Sequence, residues 1–137
     1  MNRQESIKQK YQARLETDVR RALNNAGVAM DVLWWIIEDF SDDFEEQTES
    51  FFILFKELLR RGHLKLQRDD KIIEHTPEEW EQIFRAVWSP AAEWWPQGPQ
   101  YKETYLGEID MSIWFVLGDC PAYAVWVDPE DGTEYWA

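Results

Sequence analysis

Residues 41–62, SDDFEEQTESFFILFKELLRRG, contain the strongest structural pattern of the chain, because every local signal in them indicates a helix. Their large apolar side chains recur at helical spacing and share one face: Phe44, Phe51, Phe52, Phe55, Leu58 and Leu59. Acidic residues fill the first turns, and Arg60 and Arg61 lie in the last turn, as the helix dipole favours. Ser41 starts the predicted helix and Gly62 follows it as the cap.

Two further helices are predicted before this stretch. The first has a single apolar stripe at spacings of three and four, formed by Ile7, Tyr11, Leu15, Val19, Ala22, Leu23 and Ala26. Gly27 is suited to the left-handed conformation that ends a helix. Asp31 is expected to cap a second, short helix over residues 32–40, although an apolar run this short is also compatible with a buried strand.

The pattern changes after the central helix. Residues 63–66 and 71–73 flank a polar turn and predict a small β-hairpin or two edge strands. Residues 76–79, TPEE, form a capping box with proline at the first helical position, so another helix begins there. Residues 89–103 are irregular. Alternating apolar residues then predict three strands, at residues 109–117, 123–127 and 133–136.

This order predicts an α+β fold, in which N-terminal helices pack on a small antiparallel C-terminal β-meander. We expect one domain over residues 1–137, mainly helical through residue 103 with a short hairpin near 63–73, and stranded over 104–137. The N-terminus is polar, the longest apolar run has six residues, and Cys120 is the single cysteine. These features predict a soluble, cytoplasmic protein that does not enter a membrane.

Charge is the main functional signal. The chain has 27 acidic and 14 basic residues, a net charge of −13, together with nine tryptophans. Direct binding of nucleic acid is not expected, because phosphate binding needs Lys and Arg. A disordered acidic tail would not contain so many aromatic residues. Solubility needs a net charge of only about 2–8, so the excess indicates that the protein attracts a cationic partner.

Basic residues are concentrated near the N-terminus, where residues 1–30 carry a net charge of +3 against −16 for the remainder. The basic positions are Arg3, Lys8, Lys10, Arg14, Arg20 and Arg21. Acidic residues interleave with them, and the field of the whole chain opposes a nucleic-acid role. We interpret them as a solvated helix face, or as a patch that packs against the chain's own acidic residues.

The sequence predicts no catalytic or metal site. His63 and His75 lie twelve positions apart with one cysteine, which is too poor a ligand set for a metal ion. Cys120 precedes Pro121 and follows Asp119, whose carboxylate disfavours the thiolate, so the cysteine is expected to be inert. No spacing selects a pair of carboxylates. We therefore predict no cofactor and no enzymatic activity.

Several short motifs resemble one protein family. They are FKELLRRG at 55–62, TPEE at 76–79, CP at 120–121, VWV at 125–127 and DGT at 131–133. Together they resemble a family of small, acidic, uncharacterised bacterial proteins, over about residues 50–137. Several such proteins are thought to be immunity proteins of toxin–immunity pairs, including contact-dependent growth inhibition systems. The resemblance implies a bacterial source and a neutralising role. Its motifs are structural, so it implies no functional residue.

We therefore predict an immunity protein that binds a cognate basic toxin, a nuclease being the favoured class, and occludes its active site or substrate groove with an acidic surface. The candidate steering residues form an acidic run at 38–49: Glu38, Asp39, Asp42, Asp43, Glu45, Glu46 and Glu49. Trp94 and Trp95 are the candidate anchors, because Trp dominates interface hot spots. Structural interpretations stay open, since acids stabilise a helix start and the two tryptophans could seal helices against the sheet.

Two other functions are compatible with the sequence. One is a small-molecule-binding protein or hydrolase with a Trp-lined pocket and carboxylate chemistry. The other is a homodimer that buries its surface tryptophans against a second copy. A deep pocket would favour the first, and a convex acidic face would favour the immunity function.

Overall fold

The computed structural model of the protein describes residues 2–25, 27–88, 115 and 120–137. Five helices and four strands lie in these residues: α1 (Arg3–Gln12), α2 (Leu15–Leu23), α3 (Asp31–Glu38), α4 (Phe44–Arg60), β1 (Leu64–Arg68), β2 (Lys71–Ile73), α5 (Pro77–Ala86), β3 (Tyr123–Val127) and β4 (Glu134–Trp136). Every pair of neighbouring strands is antiparallel. The predicted α+β class is confirmed.

Helix α4 is the central element, because it packs against α1, α2, α3, α5 and β1. Its predicted apolar face is buried at Phe51, Phe52, Phe55 and Leu58. The predicted start at Ser41 is wrong: Asp43 is the cap, and its carboxylate accepts a hydrogen bond from the Glu46 amide at 2.8 Å. The Ser41 hydroxyl accepts instead from the Asp43 amide at 3.0 Å, within the turn that precedes the helix.

The N-terminal apolar stripe is divided between two helices, where the sequence predicted one. The Arg14 amide donates to the Tyr11 carbonyl at 2.8 Å, a tighter turn than the α-helix makes, and this contact separates α1 from α2. Ala13 and Arg14 keep right-handed backbone angles, so the stripe continues on one side across the break. Its buried members are Ile7, Tyr11, Leu15, Val19 and Ala22.

The apolar run after Asp31 is helix α3 and not a strand. Asp31 is the first residue of this helix, whereas Met30 occupies the cap position and makes no capping side-chain hydrogen bond, so the predicted cap is wrong. Gly27 has a φ of +99°, the left-handed conformation expected of it, but α2 ends at Leu23 with Asn24 as its cap, so Gly27 does not cap the helix as predicted. Five residues of α3 are buried: Val32, Leu33, Trp34, Ile36 and Ile37.

The four strands form one sheet in the order β2-β1-β3-β4. The predicted hairpin is β1–β2, and its two-residue turn consists of Asp69 and Asp70, whose φ angles are 55° and 64°. The sequence predicted this hairpin and the C-terminal strands as separate units, but β1 pairs directly with β3. The predicted strand at 109–117 lies outside the described residues, apart from Phe115.

One face of the sheet packs against the helices. Leu64 lies opposite Trp126, and Leu66 lies opposite Ala124; all four side chains are buried. Trp126 also connects β3 to the loop before α3, because its indole N–H donates a hydrogen bond to the Val28 carbonyl at 2.8 Å. Among the described residues, no helix combines the length and the hydropathy needed to span a bilayer.

Helix α5 begins with the predicted capping box. The Thr76 hydroxyl accepts from the Glu79 amide at 3.1 Å, and the Glu79 carboxylate accepts from the Thr76 amide at 2.8 Å. Trp80 and Phe84 are the buried residues of this helix. They extend the core over the outer side of α4, where Phe84 contacts Phe55 with ring centroids 4.8 Å apart.

Candidate functional site

The acidic run at 38–49 extends from the end of α3 through the first half of α4. The basic helix α1 lies across it. Arg3 pairs with Asp43 at 2.5 Å and with Glu45 at 3.2 Å, and Lys10 pairs with Glu46 at 3.0 Å. The Asp43 carboxylate raises the pKa of Arg3 above its ordinary value. Cations of the same chain thus already contact much of the predicted steering surface.

Other helices supply further cations to the run. Arg21 of α2 pairs with Asp39 at 2.5 Å, and Arg85 of α5 pairs with Glu49 at 2.6 Å. At least five of the seven acidic residues are therefore ion-paired within the chain. Asp42 is exposed and forms no ion pair within the described residues. Four of the six basic N-terminal residues therefore lie against the chain's own acids: Arg3, Lys10, Arg14 and Arg21.

The run nevertheless keeps negative charge, because its cations are shared. Arg3 serves two carboxylates of the run, Arg21 also lies 3.5 Å from Asp18, and Arg85 also pairs with Glu81 at 2.8 Å. The pairs of Arg3 with Asp43 and Glu45, and of Arg21 with Asp39, are solvent-exposed on both sides, where an ion pair contributes little free energy. A partner with a denser positive charge could therefore compete for the run.

A buried polar network lies beneath this surface, and the sequence analysis missed it. Asp18 is fully buried, its carboxylate accepts from the Tyr11 hydroxyl at 2.8 Å, and Arg14 and Arg21 each lie 3.5 Å from its other oxygen. Burial, and then the Asp18 charge, raise the pKa of Tyr11 far above its ordinary value. In the sequence, Tyr11, Arg14, Asp18 and Arg21 are spaced three or four residues apart. This spacing is the signal from which the network could have been predicted.

The β3–β4 hairpin presents a second acidic surface. In its turn, Asp128 accepts from the Glu130 amide at 2.8 Å, and Asp131 accepts from the Thr133 amide at 2.9 Å, which lowers the pKa of Asp131. Asp128, Glu130 and Asp131 form no ion pair within the described residues. Unlike the acidic run, this turn is not covered by a basic element in the part of the chain that the structure describes.

Exposed aromatic residues follow this turn directly. Tyr135 is 47 % exposed and Trp136 is 43 % exposed, although both belong to strand β4. Trp35 on α3 is 59 % exposed, whereas Trp34, Trp80, Trp88 and Trp126 are buried. The predicted anchors Trp94 and Trp95 lie outside the described residues. Sequence periodicity treated the aromatics of β4 as strand residues and gave no sign of their exposure.

The cavities lined by described residues include three small ones. An apolar one of about 180 Å³ is lined by Phe115, Tyr123 and Ala124, among others. A groove of about 160 Å³ between β1–β2 and α5 includes His75 and Trp80 in its lining. A third of about 180 Å³ lies beside the Arg85 ion pairs. Ligand pockets usually measure about 300–1,000 Å³, so each of these three cavities is smaller than a typical ligand site.

The single cysteine, a possible nucleophile, is inaccessible in the structure. Cys120 is completely buried, which raises its pKa to about 12, and its thiol contacts the Ala122 carbonyl at 3.1 Å. Such a thiol is a poor nucleophile at neutral pH. Within the described residues, no three His, Cys, Asp or Glu side chains are grouped so that they could hold a metal ion.

Comparison with known proteins finds relatives without an assigned activity. The model of a family described as a protein of unknown function, DUF596, matches residues 59–137. The solved structure of an uncharacterized protein conserved in bacteria, from Neisseria meningitidis, is 55% identical, with a TM-score of 0.80; the match covers 96% of this chain and 93% of that chain. No curated protein matches. The expected likeness to uncharacterised bacterial proteins is confirmed, and neither description mentions a toxin.

Proposed function

We propose that this chain, which belongs to the DUF596 family, is an inhibitory binding protein that neutralises a basic protein toxin, as an immunity protein does. The favoured toxin is a nuclease, because its substrate groove must be cationic to hold a phosphate backbone. An acidic protein surface that covers such a groove excludes the substrate. The chain would act by occupying this surface and would carry out no chemistry of its own.

One observation supports this proposal above the others. The β3–β4 turn presents three carboxylates that have no cationic partner within the described residues, and β4 presents two exposed aromatic residues directly after them. Acidic groups accelerate encounter with a basic protein, and desolvated aromatic anchors slow its dissociation. The acidic run at 38–49 would add long-range attraction, with Trp94 and Trp95 as further candidate anchors.

Affinity capture tests the proposal. The tagged chain is incubated at low salt with a lysate of the bacterium in which it is native, and bound proteins are identified by mass spectrometry. We expect one near-stoichiometric basic protein that is released by raising the salt concentration, because exposed charges are screened beyond about 10 Å at 0.1 M salt. Recovery of the folded chain without a protein partner would contradict the proposal.

A further inference from the structure

We propose that the C-terminal hairpin surface, formed by Asp128, Glu130, Asp131, Tyr135 and Trp136, is the docking site for an arginine-bearing segment of the partner protein. This inference deepens the proposed function, on which its biological meaning rests, by naming the surface and the chemistry of its occupant.

The two aromatic residues project from opposite faces of β4. Tyr135 lies opposite Trp126 in the sheet register, and Trp136 lies opposite Val125. Successive strand residues point to opposite faces, so an incoming chain at this strand can meet one ring on each side. Val28 is also 44 % exposed, and its carbonyl accepts from the indole of Trp126.

The charge beside these rings selects a cationic occupant. Glu134 has Lys65 at 3.4 Å, but Asp128, Glu130 and Asp131 have no basic partner within the described residues. An arginine side chain can interact with the exposed rings and with the carboxylates, since its planar guanidinium stacks on an aromatic ring and pairs with a carboxylate. Lysine satisfies the charge but stacks less well.

The acidic run at 38–49 is a weaker docking site for such a segment. Arg3, Lys10, Arg21 and Arg85 already pair with five of its seven carboxylates, and at each of these five an incoming cation must displace a resident one. At the C-terminal hairpin surface no described residue has to move. Asp128 and Asp131 are also held by their turn hydrogen bonds, so little side-chain freedom is lost on binding.

Peptide binding tests this inference without knowledge of the natural partner. Octa-arginine and octa-lysine peptides are titrated into ¹⁵N-labelled protein at low salt, with affinities from calorimetry and sites from amide shifts. We expect octa-arginine to bind about fivefold more tightly than octa-lysine, with the largest shifts at residues 128–136.

Combined Tyr135→Thr and Trp136→Thr should weaken octa-arginine binding about tenfold and abolish the preference over lysine. Threonine keeps the strand propensity of β4.

A charge-matched pair of variants provides the control. Combined D128N, E130Q and D131N should weaken both peptides, while the amide oxygens keep the turn hydrogen bonds. Combined D69N, D70N and E74Q removes the same charge from the β1–β2 hairpin, and Asn tolerates the positive φ angles there. This control should bind like the wild type. Equal weakening by both triple variants would overturn the inference.

Two further results would also overturn it. One is a set of amide shifts confined to residues outside 128–136. The other is a sedimenting dimer of the wild-type chain that becomes monomeric in the Tyr135→Thr, Trp136→Thr variant, because the surface would then bind a second copy. A failure of the proposed function can be told apart from a failure of this inference. A chain that neutralises no toxin can still bind arginine selectively at the hairpin.

Discussion

Asp18 of α2 joins the two N-terminal helices through its hydrogen bond with Tyr11 of α1. Its carboxylate is fully buried and accepts from Tyr11, with two arginines beside it. We expect Asp18→Ala to lower the free energy of unfolding by about 2–3 kcal/mol, because it leaves the buried Tyr11 hydroxyl without its acceptor. Tyr11→Phe should cost about 1 kcal/mol. Urea denaturation measures both, and a wild-type midpoint for Asp18→Ala would contradict this role.

Cys120 should be unreactive in the folded protein. Complete burial raises its pKa from the ordinary 9.0 to about 12, so almost no thiolate forms at pH 8. We expect Ellman's reagent to leave the native thiol unmodified for hours and to modify it within minutes in 8 M urea. Rapid native-state modification would show that the thiol is accessible.

The raised pKa of Cys120 also predicts a loss of stability at alkaline pH. Its contribution to folding is present below pH 9.0 and is lost as the pH rises towards 12, because the unfolded thiol ionises first. The urea midpoint should therefore fall between pH 9 and pH 11, and it should fall less in Cys120→Ala. An equal fall in both proteins would assign the effect to other groups, of which Tyr11 is the first to examine.

At the scale of elements, α1 is held to α4 by ion pairs on its outer face. Its buried residues are Ile7 and Tyr11, and Arg3 and Lys10 supply the charged contacts. We expect Arg3→Glu to accelerate amide hydrogen exchange across α1, because it places an acid beside Asp43 and Glu45. Lys8→Glu makes the same charge change on the same helix at a position with no ion pair in the described residues. It should leave the exchange rates nearly unchanged, and equal acceleration by both would contradict the contact.

The elements with strong local signals were predictable, and the contacts between distant elements were not. The capping box at Thr76 and the apolar face of α4 are local patterns, and both are confirmed. The division between α1 and α2 depends on one tight turn at Arg14, which no nearby Gly or Pro marks. The pairing of β1 with β3 joins residues about 60 positions apart, so periodicity alone has no information on it.

In the candidate site too, the local patterns were predictable from the sequence and the tertiary contacts were not. The acidic run was visible as composition, but its ion pairs with Arg3, Arg21 and Arg85 arise from tertiary packing. The exposure of Tyr135 and Trp136 was likewise hidden, because an alternating strand pattern does not say which rings the rest of the fold covers.

At the scale of the whole molecule, net charge should control the rate of association with the proposed basic partner. The combined variant Asp42→Asn, Asp43→Asn, Glu45→Gln retains an acceptor at the α4 cap and removes three charges. We expect its association rate constant, measured by stopped flow at low salt, to be several-fold below that of the wild type, with the difference disappearing at high salt. Association as fast as the wild type at low salt would assign the acidic run to stability alone.

Neutralisation of a toxin is tested most directly by bacterial growth. Cells express the captured basic partner alone, with the wild-type chain, or with the D128N, E130Q, D131N variant, and their growth rates are compared. We expect the partner alone to arrest growth, the wild-type chain to restore it, and the variant to restore it less. Growth that is equally arrested with and without the wild-type chain, or a partner that is harmless alone, would contradict the proposed function.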